Sequence, residues 1–176
     1  MKTEKNQKMG TKTLKTERSV KKNKREISFK NTADDTQKVI IVLVRGLVNK
    51  SHPIKQTFEL LKLSRKNQAV VIPKNGVNLG MIAKINDFVT WGEIDEATFK
   101  ELVAKRGVEF LSRNTDSKNL YTYKSLSFNG KHYKPYFRLS PPTKGFGRKG
   151  IKAAFNTGGA LGYRGDKIND LIKRML

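Results

Sequence analysis

Residues Lys144-Gly-Phe-Gly-Arg-Lys-Gly150 are where residue type and spacing most directly suggest chemistry. Three glycines within six positions let a backbone bend close to a phosphate, and the neighbouring cations neutralise it. A Walker-type loop requires Lys followed by Ser or Thr at the mouth of a helix. Here Lys149 is followed by Gly150, Ile151 and Lys152, so phosphate contact stands and nucleotide hydrolysis does not. The two histidines, His52 and His132, have no partner at metal-ligand spacing. Cysteine is absent, which removes disulfides, thiolate ligands and thiol nucleophiles. Asp34-Asp35 and Asp95-Glu96 are adjacent pairs suited to loops and helix starts, not to an acid/base dyad. No catalytic residue, metal site, cofactor or small-molecule substrate is expected.

The setting of this loop is strongly positive. Of 176 residues, 37 are Lys or Arg and 15 are Asp or Glu, a formal charge of +22. Self-repulsion on that scale weakens a compact state, so a polyanionic partner is the economical explanation. Nucleic acid leads and an anionic membrane surface follows. The longest apolar run, Val39 to Val44, is far short of a membrane span. The N-terminus lacks the apolar core of a secretory signal, and its Lys-rich composition with Glu4, Glu17 and Glu26 is unlike a transit peptide.

Charge also marks boundaries. Residues 1–37 hold 11 basic and 5 acidic residues with few large apolar side chains, the composition of a tail that is disordered without RNA. Residues 117–165 hold 10 basic residues and no acid. The segment Arg138-Leu-Ser-Pro-Pro-Thr-Lys144 leads into the glycine loop within that block, with little that can pack on itself.

The elements that must position these residues are legible between 38 and 107. Lys38 to Arg45 is a continuously apolar, β-branched strand closed by Gly46. Pro53 opens a helix carrying Ile54, Phe58 and Leu61, and His52 beside it suits capping or facing RNA. Gln68 to Ile72 is a second strand, and Asn75 to Asn86 a helix with Leu79, Ile82 and Ile85. Phe88 to Gly92 is a third strand. Asp95 can cap a helix carrying Phe99, Leu102 and Val103 and ending at Arg106-Gly107. Because Thr90 makes the third strand only half apolar, a mostly antiparallel sheet is preferred to a parallel βαβ unit. The fold expected is α+β: a β-α-β-α-β core with a small, mainly antiparallel three-stranded sheet and helices on one face, then a basic C-terminal extension ending in a helix.

Beyond Gly107, Ser125–Phe128 and Lys131–Tyr136 flank Asn129-Gly130 as a hairpin with a type I′ turn. Ile168, Leu171, Ile172 and Met175 form the apolar stripe of a terminal helix, with Asp166 placed to cap it. Aromatic residues interleave with the acid-free block from Tyr121 to Tyr163. Tyr136, Phe137 and Phe155 are expected in a minor core against the last helix. Phe146, flanked by glycines, is the candidate to stack on a base.

VRGLVN at 44–49, LLKLSRKN at 60–67, LGMIAKINDFVTWGEID at 79–95 and KRGV at 105–108 together resemble the large-subunit ribosomal protein L-thirty family. The similarity is to its archaeal branch and its eukaryotic L-seven relatives, whose C-terminal extension PYFRLSPPTKGFGRKGIKAAFNTGGALGYRGDKINDLIKRML at 135–176 resembles. The segment between Gly107 and Pro135 is shorter than the family pattern. The resemblance implies a ferredoxin-like core over 38–107, an extension over 108–176 and no catalytic activity. It also implies a place in the cytoplasmic ribosome on large-subunit rRNA, near the 5S rRNA and among neighbouring ribosomal proteins.

On that reading Arg45, Lys55, Arg65, Lys66, Lys74 and Lys84 face rRNA from the core, each with a solvated face as its alternative. Arg138, Lys144, Arg148, Lys149, Lys152 and Arg164 do so from the extension, where RNA supplies the fold of the loop. A free-standing RNA- or DNA-binding regulator and a small α/β enzyme acting on a phosphorylated substrate are the other classes. A regulator would be monodisperse alone, whereas an enzyme would need a pocket of converging polar groups. Brief proteolysis of RNA-free protein is expected to remove residues 1–35 while 38–176 survives. Protection of the tail would contradict its assignment.

Overall fold

Strand β1, Lys38–Leu43, is apolar on both faces, and the architecture follows from covering each of them. A computed structural model describes residues 37–112, 120 and 125–176, all within the unit Asn31–Leu176. The expected tail, Asp34-Asp35, Tyr121 and Tyr123 lie outside the described residues.

The elements continue as α1, His52–Leu60; β2, Gln68–Pro73; α2, Gly76–Ile85; β3, Val89–Glu93; and α3, Glu96–Arg106. After α3 come β4, Leu126–Phe128; β5, Lys131–Tyr133; β6, Phe137–Arg138; β7, Gly162–Tyr163; and α4, Ile168–Lys173. β1 lies between β2 and β3 and pairs antiparallel with both, Ile40 opposite Val71 on one side and Gly92 on the other. The sheet does not stop at three strands. β6 adds antiparallel to β2 and β7 adds parallel to β3, giving a mixed five-stranded order β6-β2-β1-β3-β7. Both additions come from the C-terminal extension.

Helices cover both faces, which corrects the expectation of helices on one. Val39, Ile41 and Leu43 point into a cluster with Phe58 of α1, Leu61 just after it, and Ile82 and Ile85 of α2. Ile40 and Val42 point the other way, onto Phe99, Leu102 and Val103 of α3 and Ile168, Leu171 and Ile172 of α4. The physical reason is the alternation of side chains along a strand. An uninterrupted apolar run leaves two faces to bury, and one helical layer covers only one of them.

Close backbone approach fixes how α4 docks. A Cβ at Gly92 would lie 2.3 Å from the Gly165 carbonyl oxygen, so glycine lets the turn Gly165–Lys167 rest on β3. Asn169 then clamps the junction: its Oδ1 accepts from Asp95 N at 3.1 Å, and its Nδ2 donates to Asp166 O at 3.0 Å. Asp95 does occupy the position before α3, but its side chain makes no capping bond. Asp166 lies inside the short 3-10 turn ahead of α4 and makes no cap either. Asn169 satisfies the backbone amide of Asp95 itself, not a first-turn N–H group of either helix.

The hairpin forms as its Asn-Gly signal requires, with φ of 49° at Asn129 and 74° at Gly130. It docks on α3 through Phe128, whose ring meets Phe99 edge-on at 5.5 Å. Leu171 is fully buried between the sheet and α3. Leu171→Ala should therefore lower stability by about 2–5 kcal/mol, read from urea midpoints. A cost comparable to that of an exposed substitution would contradict the seam described here.

Candidate nucleic-acid interface

The basic loop is held by the chain's own carbonyls and cations. Ser140 N donates to Met175 O at 3.0 Å, Thr143 N to Arg174 O at 3.1 Å and Lys149 N to Gly158 O at 3.1 Å. Arg174 Nη1 returns two bonds, to Thr143 O at 3.2 Å and Gly145 O at 3.1 Å. Arg106, from the end of α3, donates to Ser140 Oγ at 2.6 Å. A Cβ at Gly147 would stand 2.8 Å from Gly159 O, so here too glycine permits two backbones to touch. This corrects the expectation that RNA supplies the loop's fold.

Arg164 is the central tie. It is 7% exposed, although it is among the extension cations expected to face rRNA. Its Nε donates to Thr90 Oγ1 at 2.9 Å, and its Nη2 to Phe146 O at 2.9 Å and Ala160 O at 3.3 Å. Its guanidinium also lies 4.4 Å from the Phe155 ring centroid. Burial and the nearby Arg174 hold its pKa down at about 10, still well above neutrality, so the cation persists and its bonds are charge-assisted. Thr90 is fully buried and donates in turn to Gly162 O at 3.2 Å. Its polarity therefore marks a buried anchor point, not a solvent-facing strand position. Arg164 turns inward and is not part of the outward-facing cation set.

Phe146 is half-buried between two apolar clusters, one formed by Val44, Ala160 and Leu161, the other by the α3–α4 side of the core. Its ring plugs the loop onto the sheet, instead of standing free as expected for a base-stacking side chain. Phe137 joins the core beside Leu171, as expected, whereas Tyr136 packs on the opposite, α1 side.

Exposed cations remain, and the fold sorts them. Lys144, Arg148 and Lys149 stand outward on the pinned loop. Arg45, Lys50 and Lys152 border a cleft of about 470 Å³ around Phe88, which joins the core to the extension. Arg45 Nη1 donates to Asp87 O, and its guanidinium lies 5.3 Å from the Phe88 ring, with Lys50 Nζ 4.8 Å from the same ring. Next to it, sharing Asn86, Ala154 and Leu161, lies a cleft of about 570 Å³ walled by Trp91, Phe155 and Tyr163. Trp91 and Tyr163 meet at 4.6 Å, and Tyr163 is half exposed. Lys55, Arg65 and Arg138 border a third groove on the α1 side. Lys66 is exposed and lies across Gly46, and Lys84 is exposed in the last turn of α2.

Lys74 is committed elsewhere. Its Nζ lies 3.1 Å from Glu93 Oε1, and Tyr163 Oη donates to Glu93 Oε2 at 2.8 Å. Burial works against the Glu93 carboxylate, but these two donors outweigh it and hold its pKa below the usual value. The same hydrogen bond to Glu93 raises the Tyr163 phenol. Among the described residues no cluster of three His, Cys, Asp or Glu could hold a metal ion. No described helix is long and apolar enough to cross a membrane.

Comparison with known proteins bears on this arrangement. The family described as Ribosomal protein L30p/L7e matches residues 39–89. The "Large ribosomal subunit protein uL30" of Nanoarchaeum equitans is 44% identical over 154 residues, covering 77% of this chain and 97% of that protein. The proteins of the same name from Methanococcus vannielii and Methanopyrus kandleri are each 40% identical, covering 97% and 100% of their own lengths. The chain belongs to the L30p/L7e family. The resemblance carried by the sequence motifs is thereby confirmed.

Within this family member, several residues of the cationic surface escape sequence reasoning. Lys50, Lys62 and Lys134 border the grooves beside residues singled out by type, yet nothing in their local sequence distinguishes them from solvated lysines. The Trp91–Tyr163 pair was in principle accessible, since both residues lie in quoted motifs. Their contact depends on the parallel pairing of β7 with β3, which two residues of strand cannot announce.

Proposed function

We propose that this L30p/L7e protein is a structural, non-catalytic constituent of the large subunit of the cytoplasmic ribosome. In this reading it binds rRNA through cations displayed on a prefolded surface. The supporting observation is the loop itself. Lys144, Arg148 and Lys149 are exposed on a backbone whose turns are already closed by internal hydrogen bonds, in a block without acid. Because the amides of Thr143, Gly145, Lys149 and Gly150 donate internally, phosphates meet side chains here more than a nest of backbone N–H groups.

Arg45 and Lys152 provide a second contact where core and extension meet, and Lys55, Arg65, Lys66, Lys84 and Arg138 extend it over the α1 side. The names of the relatives support the large subunit, and the motif resemblance supports a position near the 5S rRNA with ribosomal proteins as neighbours.

The reading is tested by salt. Each phosphate contact steepens the dependence of log affinity on log salt by roughly 0.7–0.9. Replacing Lys144, Arg148 and Lys149 together with Ala should make the slope for large-subunit rRNA shallower by roughly two units. Lys149→Ala alone should leave the urea midpoint almost unchanged, since its side chain is exposed. An unchanged slope would remove the loop from the RNA, and failure of the native protein to sediment with large subunits would overturn the reading altogether.

A further inference from the structure

The groove on the α1 side has an apolar floor bordered by cations. It encloses about 680 Å³, between the C-terminal half of α1, the turn after it and the segment Pro135–Arg138. Phe58 and Leu63, both buried, form its floor, and Phe110, Pro135 and Tyr136 form a wall. Among the described residues, Lys55, Lys62, Arg65, Lys134 and Arg138 stand around it against the single carboxylate Glu59. The volume is in the range of sites that enclose small organic groups, roughly 300–1,000 Å³.

A buried polar group completes this lining. Gln68 is 4% exposed, and its Oε1 accepts three hydrogen bonds, from Ser64 N at 2.9 Å, Ser64 Oγ at 3.1 Å and Arg65 N at 3.0 Å. Two backbone donors fix which end of the amide is oxygen. The Nε2 end donates to no described residue. It is not among the sealed, unpartnered side-chain atoms, which are Thr98 Oγ1 and Arg106 Nε. Gln68 thus lines the groove with its amide oxygen committed internally and its N–H donors unmatched by any described residue. Arg138 adds a planar cation 6.0 Å from the Tyr136 ring centroid.

We propose that this groove holds one unstacked nucleotide of the bound RNA. Its base lies against Tyr136 with an acceptor edge toward Gln68 Nε2, and its flanking phosphates lie on Lys55, Arg65 and Arg138. The proposal rests on the RNA-binding reading above and names what one part of that surface recognises. Charge decides between occupants. Among the described lining residues, five cations against one carboxylate disfavour a neutral or basic protein segment and match a polyanion. An apolar floor is wasted on the outside of a duplex, whose bases are stacked away, but suits a base splayed from a loop or bulge.

The test uses the full chain and a single-stranded RNA heptamer carrying 4-thiouridine at its centre. Irradiation should place the crosslink within residues 134–138 or 58–65, a measurement that needs no variant. Tyr136→Phe, which keeps the ring, should bind the heptamer as the unaltered protein does. Tyr136→Leu should bind about tenfold more weakly, the loss of one base–aromatic stack, with the salt slope unchanged. Affinity for a blunt duplex of the same sequence should not depend on Tyr136.

Crosslinks confined to other segments, or equal heptamer affinity for Tyr136→Leu and the unaltered protein, would overturn the proposal. So would an acid-rich peptide that occupies the groove in a Tyr136-dependent way while the heptamer does not. If the loop triple variant flattens the rRNA salt slope but the heptamer results fail, only the pocket is wrong. If the unaltered protein binds no large-subunit rRNA, the functional reading fails first.

Discussion

Burial of the Arg164 guanidinium is the interaction on which the C-terminal half of the molecule depends. Removing a cation from water is costly unless its donors are met, and burial accordingly lowers the pKa of this one. Here the acceptors are neutral: a threonine hydroxyl on β3 and two carbonyl oxygens of the acid-free block. A hydrogen bond to a charged group contributes about 1.5–3 kcal/mol, and losing it strands its buried partner. One side chain thus ties the sheet, the loop carbonyl at Phe146 and the turn at Ala160. Arg174 and Arg106 repeat the device at the loop's other end. Cations serve as internal ties where no carboxylate is available.

This arrangement explains how a segment with ten positive charges and no negative one can fold. Its apolar residues enter seams that already exist, Phe137 and Leu139 beside α3 and α4, and Leu161 beside Val44. Its backbone polar groups are met by carbonyls and arginines. Lys144, Arg148 and Lys149 are then exposed on a backbone with little freedom left to lose. A partner that binds them meets a smaller ordering cost than a disordered arm would impose.

Much of the core was legible in the sequence because its signals are periodic and local. The helical stripe of Phe58 and Leu61, the stripe of Ile168, Leu171 and Ile172, and the Asn129-Gly130 turn all appear where residue spacing puts them. β1 also announced, by its lack of alternation, that both its faces are covered. An expectation of helices on one face overlooked that consequence. β6 and β7 were illegible, since two residues carry no period. Arg164 misled for a related reason. Sequence shows charge but not burial, and the partners of this residue are neutral atoms, one of them 74 positions away. Phe146 misled by its glycine neighbours, which permit close backbone packing and do not leave its ring free.

Internal hydrogen bonds, not RNA, close the turns of the basic loop. Amide hydrogen exchange in the RNA-free full chain tests this most directly. The amides of Ser140, Thr143 and Lys149 are expected to exchange far more slowly than in an unstructured chain, because each donates to a backbone carbonyl. That protection should fall in Arg164→Met, which removes the tie while keeping an apolar stem. Exchange of these amides at the unstructured rate in the free protein, with protection appearing only when RNA is added, would contradict the account.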